Sequence, residues 1–167
     1  MMSFSRVRMK NQHGTAWRVG FLVAMLSLLF AACVGEDEPE NGEEGTRVRV
    51  GDTVPAFTVS LDDGSVFTAP DDLLGHETVL VFFTTTCPDC LAALPRWQQA
   101  YDGGQRIVCI SRAEKAEDVA ACWASLSLTM PYAAVPDRSV YNLFARSGVP
   151  RSYTVSPTGI ITALTVE

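Results

Sequence analysis

Residues Thr78–Thr84 read Thr-Val-Leu-Val-Phe-Phe-Thr, an unbroken run of β-branched and aromatic side chains. A strand with one wet face alternates apolar and polar residues, because successive side chains point to opposite faces. This run has no polar side to turn outward. It predicts a strand buried on both faces, as parallel strands of layered α/β sheets are. Such a strand needs cover on each side, and the flanking sequence offers it. Pro88–Tyr101 and Glu114–Leu126 are helical in pattern, the second with Ser111 or Ala113 near its start. Arg106–Ser111 predicts a second buried strand, and Tyr132–Val135 a short one. Ala56–Leu61, the turn Asp62-Asp63-Gly64 and Ser65–Thr68 form a hairpin. Ser139–Arg146 is a short helix that Gly148 can end, and Tyr153–Val155 with Ile160–Val166 make a closing hairpin. Strands alternating with helices predict one α/β domain over residues 47–167.

Charge divides what precedes that domain. The chain has 167 residues and a net charge of −6. Residues 1–32 hold Arg6, Arg8, Lys10 and Arg18 and no acid, so the remainder carries −10. Six of its acids, Glu36, Asp37, Glu38, Glu40, Glu43 and Glu44, lie within nine residues. No Lys/Arg cluster stands in the body, which argues against a nucleic-acid partner. After the basic start, Val19–Ala32 is a 14-residue apolar stretch. As a helix it spans about 21 Å against a hydrocarbon core of roughly 30 Å, so it suits a signal-peptide segment better than a membrane span. It ends in Phe30-Ala31-Ala32-Cys33, which resembles the bacterial lipobox, with Phe30 in place of the usual Leu. The resemblance implies cleavage of residues 1–32, lipidation of Cys33 and attachment to a membrane in the bacterial cell envelope, facing the periplasm or the cell surface. Plain secretion and an uncleaved anchor are the other readings. Residues 33–46 then form an acidic tether too poor in apolar residues to order itself. Its acidic start is a solvated spacer or, by resemblance to some surface lipoproteins, an export signal.

Five cysteines include Cys87-Pro88-Asp89-Cys90, a C-x-x-C at the junction of the first buried strand with the first helix. In an α/β setting this spacing reads as a redox pair. A purely structural disulfide is an alternative, and zinc lacks a second ligand pair. At a helix N-terminus Cys87 meets unpaired N–H groups and the positive end of the macrodipole, which favour the nucleophilic thiolate. Cys90, one turn on, is placed to attack a mixed disulfide formed at Cys87. Pro88 fits the first helical position. Asp89 opposes the dipole beside the thiol and tunes the pair toward a reductant. Cys109 and Cys122 read as two buried thiols or as a second disulfide. His76 has no evident role, and Trp97, Tyr101, Trp123 and Phe144 read as core.

Val50-Gly51-Asp52, Phe57, Asp63-Gly64, Val79–Phe83, the C-x-x-C, Leu94-Pro95, Ser147-Gly148-Val149-Pro150 and Ser156-Pro157-Thr158-Gly159 together resemble the thioredoxin superfamily. The nearest type is the membrane-anchored thiol–disulfide oxidoreductases of the TlpA/ResA kind. The resemblance covers about 120 residues. It implies a thioredoxin-like α/β fold, with a central mixed sheet flanked by helices and an N-terminal β-hairpin. It implies that Pro150 is cis and faces the cysteines, that the Val149 backbone pairs with substrate, and that Pro95 kinks its helix for packing. It also implies no cofactor beyond a redox-active Cys87–Cys90 disulfide, and no metal. Client proteins with disulfides or thiols are the implied partners, in cytochrome c maturation among other roles, with a membrane electron donor of the DsbD/CcdA type. Three departures stand out. Thr86 replaces the usual Trp, Val81 stands where thioredoxins carry a buried acid, and the family's C-terminal helix is absent, which leaves one sheet face thinly covered. Glu77, Asp89 or water are the candidates to replace that acid. Two other functions remain open: a thiol peroxidase, although Leu80 stands where that chemistry prefers Pro, and a non-catalytic binding lipoprotein.

Overall fold

The computed structural model describes residues 45–167. The signal segment, Cys33 and nearly all of the acidic tether lie outside the described residues. Strands β1 (Phe57–Ser60) and β2 (Val66–Ala69) pair as an antiparallel hairpin. A 3-10 turn, Asp71–Leu73, leads into β3 (Thr78–Phe83). Then follow α1 (Pro88–Asp102), β4 (Ile107–Ser111), α2 (Ala116–Leu126), β5 (Tyr132–Ala133), α3 (Tyr141–Phe144), β6 (Arg151–Val155) and β7 (Ile161–Val166). The main sheet has the order β5-β4-β3-β6-β7. β3 and β4 are parallel, as are β4 and β5, while β6 and β7 join antiparallel. No helix among the described residues is long and apolar enough to cross a membrane.

β3 is central, and all six of its residues are buried. Its alternation divides the core in two. Leu80 and Phe82 enter one cluster with Phe57, Phe67, Leu73, Tyr141, Phe144 and Tyr153. Val79, Val81 and Phe83 enter the other, with Cys90 and Leu94 of α1 and Val119, Cys122 and Trp123 of α2. The hairpin, the 3-10 turn and α3 thus roof the first face, and two long helices roof the second. Part of that second face is thinly covered among the described residues. On β6, Tyr153 and Val155 point into the first cluster, whereas Ser152 and Thr154 face the other way and are half-buried. Their partners on β7, Thr165 and Ala163, are exposed. Small and polar residues occupy the patch, so little apolar surface is left wet.

The sequence reading departs from the structure at a few places. Gly45 and Thr46, assigned to the tether by the expected boundary at 47, contact the domain among the described residues. Arg146 N–H donates to the Gly45 carbonyl (2.6 Å), Arg47 N–H to the Phe144 carbonyl (2.8 Å), and Thr46 bridges Ala145. α2 starts at Ala116, with Lys115 as its N-cap and no side-chain cap bond. Ser111 is in β4, bonded through its hydroxyl to Val135. Pro95 lies inside α1 on its exposed side, so it does not serve core packing. A second cis bond, Ala69–Pro70, accompanies the one before Pro150.

Phe82 has no exposed surface, and its ring lies 4.7 Å from Phe144, 5.7 Å from Tyr141 and 6.0 Å from Tyr153. Phe82→Ala should cost about 3–5 kcal/mol, the usual range for a large aromatic deleted from a rigid core. Urea unfolding measures it, and a loss below about 1 kcal/mol would mean the cluster collapses onto the gap.

Candidate active site

β3 ends at Phe83, and buried Thr84 begins the turn that delivers Cys87 to the start of α1. Cys87 is the N-cap, in extended conformation, with Pro88 in the first turn. Its sulfur accepts a long bond from the Cys90 backbone N–H (3.4 Å), the contact an N-cap side chain makes. The Cys87 Sγ also lies 3.5 Å from the carbonyl oxygen of Val149, to which the thiol donates. The Val149–Pro150 peptide is cis. The motif and the Gly-Val-Pro turn therefore meet, as the resemblance implies.

The two sulfurs sit in different surroundings. Cys87 is half-buried, whereas Cys90 has no exposed surface. Burial pushes the Cys90 thiol up to about 12, and the adjacent Cys87 adds to this, while the Thr84 backbone and the Arg112 charge pull it down. Among the described residues all four cysteines are free thiols. Cys109 and Cys122 share the α1/α2 cluster as separate buried thiols, both raised by burial. No group of three His, Cys, Asp or Glu that could hold a metal ion occurs among the described residues.

Of the side chains expected to replace the missing acid, one lies away from the cysteines and one between them. Glu77 is exposed at the start of β3, about 20 Å of strand from the cysteine end. Asp89 is exposed in the first turn of α1. A carboxylate missed in the sequence is held on the turn between β3 and α1. Glu114, in the loop before α2, accepts from both the backbone N–H (2.7 Å) and the hydroxyl (2.5 Å) of Thr85. Its other oxygen is buried, with no partner among the described residues. Ala113, with φ 64°, turns the loop there. A cleft of about 660 Å³ is lined by Thr84–Thr86, the turn that leads to Cys87, and by Arg112, Glu114 and Lys115 among others. Thr86, exposed, places a hydroxyl on its lip. His76 stands apart, in a depression with Asp71, Asp72 and Arg106 at the other end of the strands.

The Cys90 environment makes stability depend on pH. The folded thiol titrates near 12 and the unfolded one near 9.0, so the unfolded state loses its proton first. Its contribution is intact below about pH 9 and fades as pH rises toward 12, by up to about 1.4 kcal/mol per unit. Reduced wild type should therefore lose stability faster than Cys90→Ala between about pH 9 and 10.5. Parallel unfolding curves across that window would show that Cys90 is not held neutral by burial.

The Redoxin family profile matches residues 49–167. No curated protein matches the chain. Among solved structures, it is similar to a protein assigned as a protein disulfide isomerase from Bacteroides thetaiotaomicron, at 28% identity and a TM-score of 0.67, over 74% of this chain and 82% of that one. It is also similar to the thioredoxin domain of a thiol-disulfide oxidoreductase from Bacteroides vulgatus, at 20% identity and a TM-score of 0.65, over 72% and 91%. A thio-disulfide isomerase from Thermus thermophilus follows at 24% identity and a TM-score of 0.61, over 71% and 87%. A family match across most of the chain, carried on this fold with a C-x-x-C at its strand–helix junction, shows that the chain belongs to the Redoxin family, as a thioredoxin-fold thiol–disulfide oxidoreductase.

Proposed function

We propose that this protein is an extracytoplasmic, lipid-anchored reductant of disulfides in client proteins, working through Cys87 and Cys90. The observation that carries the reading is the asymmetry of the pair. One sulfur is half-exposed at a helix N-terminus beside the Val149 carbonyl, and the other is buried behind it with its proton firmly held. In the forward step the Cys87 thiolate attacks one client sulfur, and the other client sulfur leaves and takes up a proton. Cys90 then gives up its proton and attacks the Cys87 sulfur. The Cys87–Cys90 bond forms, the mixed disulfide breaks, and the client departs as a dithiol. Two electrons and two protons pass to the client, and a dithiol donor must return them. A membrane reductase of the DsbD/CcdA type suits that task for an anchored protein, and cytochrome c maturation is one setting for the clients.

Val149 offers backbone groups to an extended client segment next to Pro150, while Pro88 and Asp89 tune the pair. The Asp89 charge lies in the first turn, where it opposes the favourable field of the helix end on a thiolate. Disfavouring the thiolate stabilises the disulfide relative to the dithiol, which is the bias of a reductant. Peroxidase chemistry is less well supported, because Leu80 is buried within β3 where a proline is preferred. A purely binding role leaves the meeting of Cys87, Cys90 and the cis-proline turn without a use.

Cys90→Ser should trap clients as mixed disulfides on Cys87, and Cys87→Ser should trap none. Non-reducing gels after alkylation read this out, and equal trapping by both variants would overturn the assignment. Lipid attachment has its own test. Cys33→Ala should lose membrane association, and a variant that still pellets with membranes at the processed mass would rule the anchor out.

A further inference from the structure

Arg151 follows Pro150 directly and is 1% exposed, the largest of the fully buried side chains. No carboxylate among the described residues pairs with it. Its guanidinium instead donates to the Ser147 carbonyl (2.9 Å) and the Thr46 hydroxyl, with longer contacts to the Tyr153 hydroxyl (3.4 Å) and the Gly148 carbonyl (3.5 Å). A buried cation is costly unless its donors are satisfied, and an apolar side chain would fill the same space at lower cost. What the charge achieves here is a grip on the turn above it. The Gly148 carbonyl is also held by the Tyr141 hydroxyl at 2.7 Å. A Cβ on Gly148 would come within 3.3 Å of the guanidinium, and the residue has φ +84°, so the turn is fitted closely over Arg151. The next carbonyl along the chain is that of Val149, the one Cys87 touches.

We propose that Arg151 and Tyr141 are positioning residues for thiol–disulfide exchange. By holding the Ser147 and Gly148 carbonyls from beneath, they fix the turn that presents the Val149 backbone to Cys87 and to a client segment docked there. The proposal rests on Cys87 as the attacking thiol. Neither residue touches the reacting sulfur. Their effect falls on substrates that pair with the backbone and spares small disulfides that do not.

The test compares two substrates of the full-length protein: a disulfide-bonded peptide and 2-hydroxyethyl disulfide. In Arg151→Met, kcat/KM for the peptide should fall about tenfold or more, the scale of a lost hydrogen bond to a charged group, while the small disulfide changes less than about twofold. Arg151→Lys should resemble Arg151→Met, because a single ammonium lacks the planar fork that spans several acceptors. Tyr141→Phe introduces no buried mismatch, so it decides the matter if the arginine variants fold poorly. It should show the same split to a smaller degree. Equal losses on both substrates, an unchanged peptide rate, or full recovery by Arg151→Lys would overturn the proposal. In the last case the charge alone would matter, and the pH profile of Cys87 alkylation would shift in Arg151→Met but not in Arg151→Lys. If wild type fails to exchange with the peptide at all, the failure belongs to the reading of Cys87 and not to Arg151.

Discussion

Cys87 and Val149 are 62 residues apart in the chain, and their sulfur and oxygen are 3.5 Å apart in space. The order of the sheet makes that contact. β3 lies between β4 and β6, with Phe82 opposite Arg151, so the end of one strand and the start of the other meet at the same edge. Cys87 follows β3 by a short turn, and Val149 lies two residues before β6. Loosening β3 would separate the two groups, which is why a chemically silent run of valine, leucine and phenylalanine governs the chemistry.

Burial then separates the properties of two identical side chains. Three residues apart on one helix start, Cys87 keeps access to solvent and to the dipole, and Cys90 turns into the α1/α2 cluster. An attacking group needs exposure and a stabilised anion. A resolving group needs proximity and protection from everything but its neighbour. One helical turn gives the two sulfurs these different surroundings from the same residue type.

Much of this was legible from local pattern. The doubly buried strand, the redox spacing at its end and both hairpins follow from periodicity and turn residues. Where the reading failed, the determinant was distant in sequence. Glu114 looks like one more acid at a helix start, and only folding places it on Thr85, 29 residues away. Arg151 falls before the strand expected at Tyr153–Val155 and drew no role, because its acceptors come from the loop before it and from Thr46, 105 residues earlier. Glu77 misled for the same reason, since closeness to β3 in sequence put it at the wrong end of the strand. The packing role that the resemblance implies for Pro95 does not hold, because the face it occupies is the wet one.

The entry of the chain into the domain has a consequence for whom the protein meets. Gly45 and Thr46 are zipped along residues 144–147, beside the turn that faces Cys87, and Thr46 shares the guanidinium of Arg151. The tether therefore joins the domain at its reactive end. Twelve residues run from Cys33 to Gly45, a contour length of about 40 Å. With Cys33 lipidated as proposed, that length would set an effective concentration, of the order of millimolar for short linkers in general, between Cys87 and any disulfide fixed in the same membrane. A freely diffusing client would have to reach comparable concentrations to compete, so such an anchor would favour membrane-held partners through where the leash is tied, in addition to the backbone offered at Val149.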